Sequence, residues 1–449
     1  MHVLLHPLST KPYVKAAYYG IELNHSQFSN KQPQINYMTA PDSQHHAFIG
    51  TILHDRFDLR HDSFVVRKIE QAKNNYVYLI EIANPTTDSL LSESSKPFTS
   101  PIPANTSRLI FRIPKENVSL EDSVRVRNEV AFLALGRDVL SSIDTSLVPR
   151  VFDWEDNNNL RSGFRWILEE WKEGETLTAE NVEALNDEMQ RFVLDQLAAV
   201  VKSFQKYRLP DSVRGFGGLS FDENGTLSNT SSTIPCGGPF PTYSSFLKGM
   251  CKWQLEASER STHLTGWRNV PKLRNRLDNL FASGLDELLV KVPEQRLTLV
   301  HADLCFPNLL FDTSTYRLTA VLDFDFSHIG APVSEYLFSF WDMNAILTGR
   351  AGQMGQMRKW LLNGFPKRID ARFKLARSWD NALGEAGVEK PSTIDGAGHI
   401  ANIWWFSQEL CQAYWFMDSF TAHRSAEALE MLKAGSIRNL EKYLTLWGF

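Results

Sequence analysis

Leu299-Val300-His301-Ala302-Asp303-Leu304-Cys305-Phe306-Pro307-Asn308-Leu309-Leu310-Phe311, read with Leu318-Thr319-Ala320-Val321-Leu322-Asp323-Phe324-Asp325, decides the fold. An apolar run leads into His-x-Asp, an Asn stands five residues after the Asp, and a second apolar run delivers Asp-Phe-Asp. Between the runs, Asp312-Thr313-Ser314-Thr315 has turn composition, because Asp, Ser and Thr side chains hydrogen-bond their own backbone. The two runs are predicted to pair as a hairpin. Asn308 then lies beside Asp323 at the open end, with Asp303 in the loop just before. Mg²⁺ takes oxygen ligands, usually one or two carboxylates beside substrate phosphates. Phosphoryl transfer needs a further Asp to orient the attacking hydroxyl and accept its proton. The arrangement points to Asp303 as base and to Asn308 and Asp323 as metal ligands. A lone H-x-D-x-x-x-x-N is weak, since Asp and Asn populate loops everywhere. Joined to a strand-borne D-F-D, it is specific.

Upstream, the pattern is that of a small sheet with one helix. Phe64 to Glu70 and Tyr76 to Ile82 are rich in β-branched and aromatic residues around Ala72-Lys73-Asn74-Asn75, a hairpin signature. Leu109 to Ile113 reads as a third strand stopped by Pro114. Ser119-Leu120-Glu121-Asp122 has capping-box-like spacing and is expected to open a helix with Val126, Val130 and Leu133 on one face. Arg150 to Trp154 and Arg165 to Glu169 are two more strands around Asn157-Asn158-Asn159. The order is β-β-β-α-β-β. Beyond Gly174 the chain turns helical, with Asp187 to Tyr207 the clearest case and an aromatic-rich helical region from Phe338 to Phe449.

The 449 residues exceed one ordinary core, so two lobes are expected. Residues 1–45 are polar and aperiodic and read as an extension; 46–172 form the nucleotide-binding lobe, and 173–449 a helical lobe. The Ser/Thr/Pro-rich stretch of about 84–108 reads as a mobile loop that buries no face. A net charge of −5 argues against a nucleic-acid partner. No apolar stretch is long enough for a membrane span, and the N-terminal apolar run is too short for a signal peptide, so a cytoplasmic protein is expected. The four cysteines, Cys236, Cys251, Cys305 and Cys411, lack metal-site spacing.

These motifs resemble the aminoglycoside phosphotransferase and choline kinase-like family, and within it a branch common in fungi. The resemblance covers about residues 60 to 345. It implies an α+β, bilobal protein-kinase-like fold: a small antiparallel-sheet N-lobe with one helix, and a larger, mainly helical C-lobe. It implies an enzyme that uses ATP and Mg²⁺ on a small-molecule acceptor, with an alcohol or amine receiving the phosphate. Asp303 matches the family's catalytic Asp, Asn308 the metal ligand of that loop, and Asp323 the metal-binding Asp. Asp325 stands as a further metal or substrate contact, or as a loop carboxylate. Trp166 to Gly174 is similar to the linker between lobes, which places Glu170 and Trp171 at adenine. On the third strand Arg112 replaces the usual Lys, and Glu129 matches its helix partner. Arg keeps the charge and can grip phosphate bidentately. The phosphate-covering loop, Glu70 to Asn75, contains no glycine.

A protein kinase is the nearer rival. Ala302 replaces the Arg of His-Arg-Asp, and Asp323-Phe324-Asp325 runs into the apolar Tyr336 to Phe340 segment with no space for a long activation loop. A pseudokinase that binds a ligand or partner without turnover is a rival of another class. Arg112 and the glycine-free loop favour it; Asp303, Asn308 and Asp323 oppose it. His301 reads as a loop-fixing residue, and Cys305 has no basic sequence neighbour to make it a nucleophile. The acceptor site is expected between the loop around Asp303 and the C-terminal helices, with Trp404, Trp405, Glu409 and Tyr414 as candidates for its wall.

Overall fold

The computed structural model describes residues 40–69, 74–116, 120–156, 163–352 and 355–449. Strands β1 (Phe64–Ile69), β2 (Asn75–Ile82), β3 (Arg108–Pro114), β4 (Val151–Glu155) and β5 (Trp166–Glu170) form one antiparallel sheet in the order β1-β2-β3-β5-β4. Alternation along β3 sends Leu109, Phe111 and Ile113 to one face, where they join Tyr78, Ile80 and Ile82 of β2 in a buried cluster. Arg112 therefore points the other way, toward the cleft. Helix α1 (Ala40–Phe57) closes the apolar face with Phe48, Ile49, Ile52 and Leu53. His45 Nδ1 also meets the Tyr78 hydroxyl at 2.6 Å.

Helix α2 (Arg125–Leu140) packs under the sheet with Val126, Val130 and Leu133 buried, the apolar face read from the sequence. The larger lobe is built on α3 (Asp187–Lys206), α4 (Tyr243–Arg260), α5 (Lys374–Ala386), α6 (Ala397–Leu410) and α7 (Ala426–Trp447). The Asn186 side chain caps α3 by accepting from the Met189 amide at 2.9 Å. A small hairpin, β6 (Gly218–Phe221) with β7 (Leu227–Thr230), lies between α3 and α4. At the mouth of this lobe are two further two-stranded pairs. One is β8 (Thr298–Val300) with β11 (His328–Gly330); the other is β9 (Leu309–Phe311) with β10 (Leu318–Val321).

Three expectations change. The helix after β3 begins at Arg125, behind Val124, which supplies no side-chain cap. The Glu121 amide bonds Thr233 O at 2.9 Å, so Glu121 is committed to a loop contact before the helix starts; Ser119 lies outside the described residues. The 84–108 segment does not behave as a loop that buries no face. Leu90 and Ile102 exchange two backbone hydrogen bonds, Ile102 is buried, and the Ser92 and Ser94 hydroxyls donate to Asp153 at 2.6 and 2.8 Å. Lys96 adds Trp154 O at 2.6 Å and Glu155 at 2.7 Å. Its polar residues dock on the carboxylates of β4, a partner that local composition does not reveal. Finally, α1 begins inside the expected 1–45 extension; residues 1–39 lie outside the described set, as do 70–73 of the glycine-free loop and Asn157-Asn158-Asn159.

Candidate active site

The hairpin predicted from the two apolar runs forms as expected. Val321 pairs with Leu309, the Leu322 amide donates to Asn308 O at 2.9 Å, and Asp312 Oδ1 accepts the amides of Ser314 and Thr315, both at 2.9 Å. Asn308 and Asp323 are thereby held at its open end. The loop after β8 is fixed from behind by Glu335, which accepts the amides of His301 at 2.8 Å and Ala302 at 3.2 Å. Ala302 has φ of 65° and Asp323 has φ of 65°, the left-handed region that non-glycine residues enter at a cost. His301 is buried. Its Nε2 donates to Leu322 O at 3.0 Å and its Nδ1 accepts the Asp303 amide at 3.3 Å, while burial pushes its pKa down to about 4. It is a neutral strut between the two loops, as the sequence reading held.

Asp303 stands at the centre. Asn308 Nδ2 donates to its carboxylate at 2.9 Å and to its backbone oxygen at 2.8 Å, and the Trp341 indole NH reaches Oδ1 at 3.3 Å. Poorly solvated surroundings and the charge of Asp323 push its pKa up to about 7, against the opposing hydrogen bonds of Trp341, Asn308 and Cys305. Because the Asn308 nitrogen is spent on Asp303, its amide oxygen is left for another partner. Asn308 and Asp323 thus offer hard oxygen donors of the type Mg²⁺ takes. Among the described residues no group of three or more His, Cys, Asp or Glu side chains forms a metal cluster by itself.

Arg112 is a hub. One guanidinium nitrogen bonds Glu129 and lies 3.8 Å from Glu169; the other donates to Asp323 Oδ1 at 2.9 Å. Burial opposes the charge of Arg112, but Glu129, Glu169, Asp323 and Asp325 outweigh it and raise its pKa. Burial raises those of Glu129, Glu169 and Asp323 in turn, with Arg112 opposing. Asp325 has a different place from the one expected. It is 1% exposed, and both of its oxygens face the Arg125 guanidinium, with Nε to Oδ1 at 2.7 Å. A carboxylate closed in a bidentate ion pair is not offered to a metal, so Asp325 leaves the set of metal ligands.

One cavity of about 720 Å³ contains the site. At one end it is bounded by Ile69, Val77 and Ile110 of the sheet and by Glu169, Glu170 and Trp171. The Glu170 carboxylate is held by Arg150 at 2.9 Å, and the Arg108 guanidinium lies 5.0 Å from the Trp171 ring centre. Arg112, Asp303, Asn308 and Asp323 line its middle, and its far end reaches Trp404 and Cys411 of the C-terminal region.

Residues 103–360, more than half of the chain, match the model described as the phosphotransferase enzyme family, APH. The chain belongs to that family. No curated protein matches it by sequence. Among solved structures it is similar to the ADP-bound aminoglycoside phosphotransferase APH(2'')-Ib, at 13% identity over 85% of this chain and 94% of that one, with a TM-score of 0.45. It is also similar to APH(2'')-IIa in complex with gentamicin, at 14% identity over 92% of this chain and 100% of that one, with a TM-score of 0.47.

In this phosphotransferase-family chain the small antiparallel sheet with one helix, followed by a larger, mainly helical part, agrees with the α+β organisation read from the sequence. The structure also brings Asp303, Asn308 and Asp323 to one cavity and pairs Arg112 with Glu129. Of the four residues suggested for the C-terminal wall, only Trp404 lines the cavity. Trp405 donates to Leu347 O at 2.8 Å, Glu409 faces Asn439 at 3.0 Å, and Tyr414 is buried. Sequence reasoning missed Trp341, Glu335, Arg125 and Asp342, whose carboxylate accepts the Phe306 amide at 2.6 Å. A Trp-Asp pair directly after the apolar Tyr336–Phe340 run was the available signal for two of them.

Proposed function

We propose that this member of the phosphotransferase family transfers the γ-phosphate of ATP to a hydroxyl group of a small molecule. The observation that carries the reading is the placement of Asp303, with its raised pKa, beside Asn308 and Asp323 in a concave cavity. Asp303 takes the proton of the acceptor hydroxyl as that oxygen bonds the γ-phosphorus; the bond from phosphorus to the bridging oxygen breaks, and ADP leaves. Asn308 and Asp323 would hold Mg²⁺, which would offset the negative charge of the phosphates. Arg112, poised between Glu129 and Asp323, grips phosphate, and the Glu169–Trp171 stretch receives the adenine. The cavity is concave, of about 720 Å³, and lined by aromatic and aliphatic side chains with a few polar groups, which supports a small acceptor.

The test is ADP release by the purified chain with ATP and Mg²⁺ against pooled metabolites, with Asp303→Ala as the blank. Acceptor-dependent ADP in the wild type alone supports the reading. ATP binding without any acceptor-dependent turnover would favour the pseudokinase.

A further inference from the structure

The two ends of the cavity differ in charge. Among the described residues its lining carboxylates are Glu169, Glu170, Asp303 and Asp323, and its lining cations are Arg112 and Lys172. All six lie at the linker or around Asp303. Past Asp303, toward α6, the wall is made of Trp253, Phe338, Trp341, Trp404, Phe416 and Met417, with Gln254 and Gln408 as its polar members. None carries a formal charge. Glu409, on α6, is turned to Asn439 and Gln412 at 3.0 and 3.3 Å instead.

We propose that the acceptor is a neutral, predominantly apolar alcohol, such as an aromatic or terpenoid alcohol, seated on this wall beside Asp303. This rests on the reading of Asp303 as the base. A polycationic amino sugar would strip water from several ammonium groups against Trp, Phe and Met, with only Asp303 unclaimed by an arginine to answer them. An apolar molecule gains in proportion to the surface it buries. Aromatic faces can hold a single cation. Here, though, the Arg260 guanidinium already lies 5.4 Å from the Trp253 ring centre, and the Phe338 and Trp404 rings are 4.4 Å apart, turned to each other. A second observation concerns hydrogen bonding. The amide oxygen of Gln254 and the indole NH of Trp404 are buried with no hydrogen-bond partner. Buried polar atoms are nearly always paired. Both atoms are neutral, so the unpaired polar groups behind this wall add no charge to it.

The experiment measures binding and turnover separately. Binding of 2-naphthol, farnesol, kanamycin and choline to the full-length Asp303→Asn chain is followed by calorimetry in the presence of Mg²⁺-ADP. ADP release by the wild type is followed with the same four compounds. The expected result is saturable binding of the two neutral alcohols alone, weakened about tenfold or more by Phe416→Asp. Gln408→Glu, which changes charge at nearly constant shape, serves where Phe416→Asp does not fold, and it should shift preference toward choline. Binding of kanamycin or choline without the neutral alcohols, or of none of the four, overturns the inference. Neutral alcohols that bind but never stimulate ADP release would leave the acceptor class standing and defeat the phosphotransfer reading instead.

Discussion

Arg125 of α2 and Asp325 of the Asp-Phe-Asp turn form a buried, bidentate ion pair. Arg125 Nε donates to Oδ1 at 2.7 Å and Nη2 bonds Oδ2. The same guanidinium donates to Asn74 O at 3.0 Å and Lys115 O at 3.1 Å. One side chain therefore ties the helix of the small lobe, the loops beside its sheet and the turn that carries Asp323. Removing one partner leaves a buried charge unanswered, which costs about 3–5 kcal/mol. Asp325→Asn and Arg125→Leu are each expected to lower unfolding free energy by about that much, measured by urea denaturation. In the double variant the loss should fall well short of the sum. Independent, additive losses would show that the pair is not coupled.

Asp303→Asn keeps the shape and the hydrogen bonds from Asn308 and Trp341 but removes the base. Turnover should fall by roughly 10²–10⁴-fold. Affinity for Mg²⁺-ATP, followed by calorimetry, should stay near the wild-type value. Near wild-type turnover would mean that another group takes the proton.

The raised pKa of Asp303 has a pH signature. A base must be unprotonated, so kcat/KM should fall as pH drops through about 7. Stability runs in the opposite direction. The folded pKa lies above the ordinary 3.8, so the folded state favours the protonated acid, and this stability is lost as pH rises from about 4 through about 7. Asp303→Asn should therefore gain stability over wild type across that window and hold a constant margin above it. Equal urea midpoints at pH 5 and pH 8 for the difference between the two proteins would contradict the burial argument.

Asp323 and Arg112 hold each other at 2.9 Å. Asp323→Ala should weaken Mg²⁺-ATP binding while affecting metal-free ATP less, because its proposed partner is the metal. Arg112→Ala should weaken both, because its proposed partners are the phosphates. Calorimetric titrations with and without Mg²⁺ separate the two; identical losses would merge their roles.

Much was determined by sequence alone because the deciding signals are local. Two apolar runs around Asp312–Thr315 can hardly do other than pair, and pairing brings Asn308 to Asp323 by geometry. Strand alternation turns Arg112 away from Phe111 and Ile113, and helical spacing turns Glu129 to meet it. The tertiary structure decided what depends on partners remote in sequence. Asp325 reads as a metal or substrate contact or as a loop carboxylate until Arg125, two hundred residues earlier, claims both its oxygens. The 84–108 segment reads as unanchored until Asp153 and Glu155 are seen beneath it. The cavity wall beyond Asp303 draws on α4, on Phe338 and Trp341, and on the stretch from Trp404 to Met417. Sequence shows aromatic residues at helical spacing but not which of them face a core and which face a ligand. Trp404 and Trp405 are neighbours in the chain, yet only the packing of α6 sends the first to the cavity and ties the second to Leu347 O.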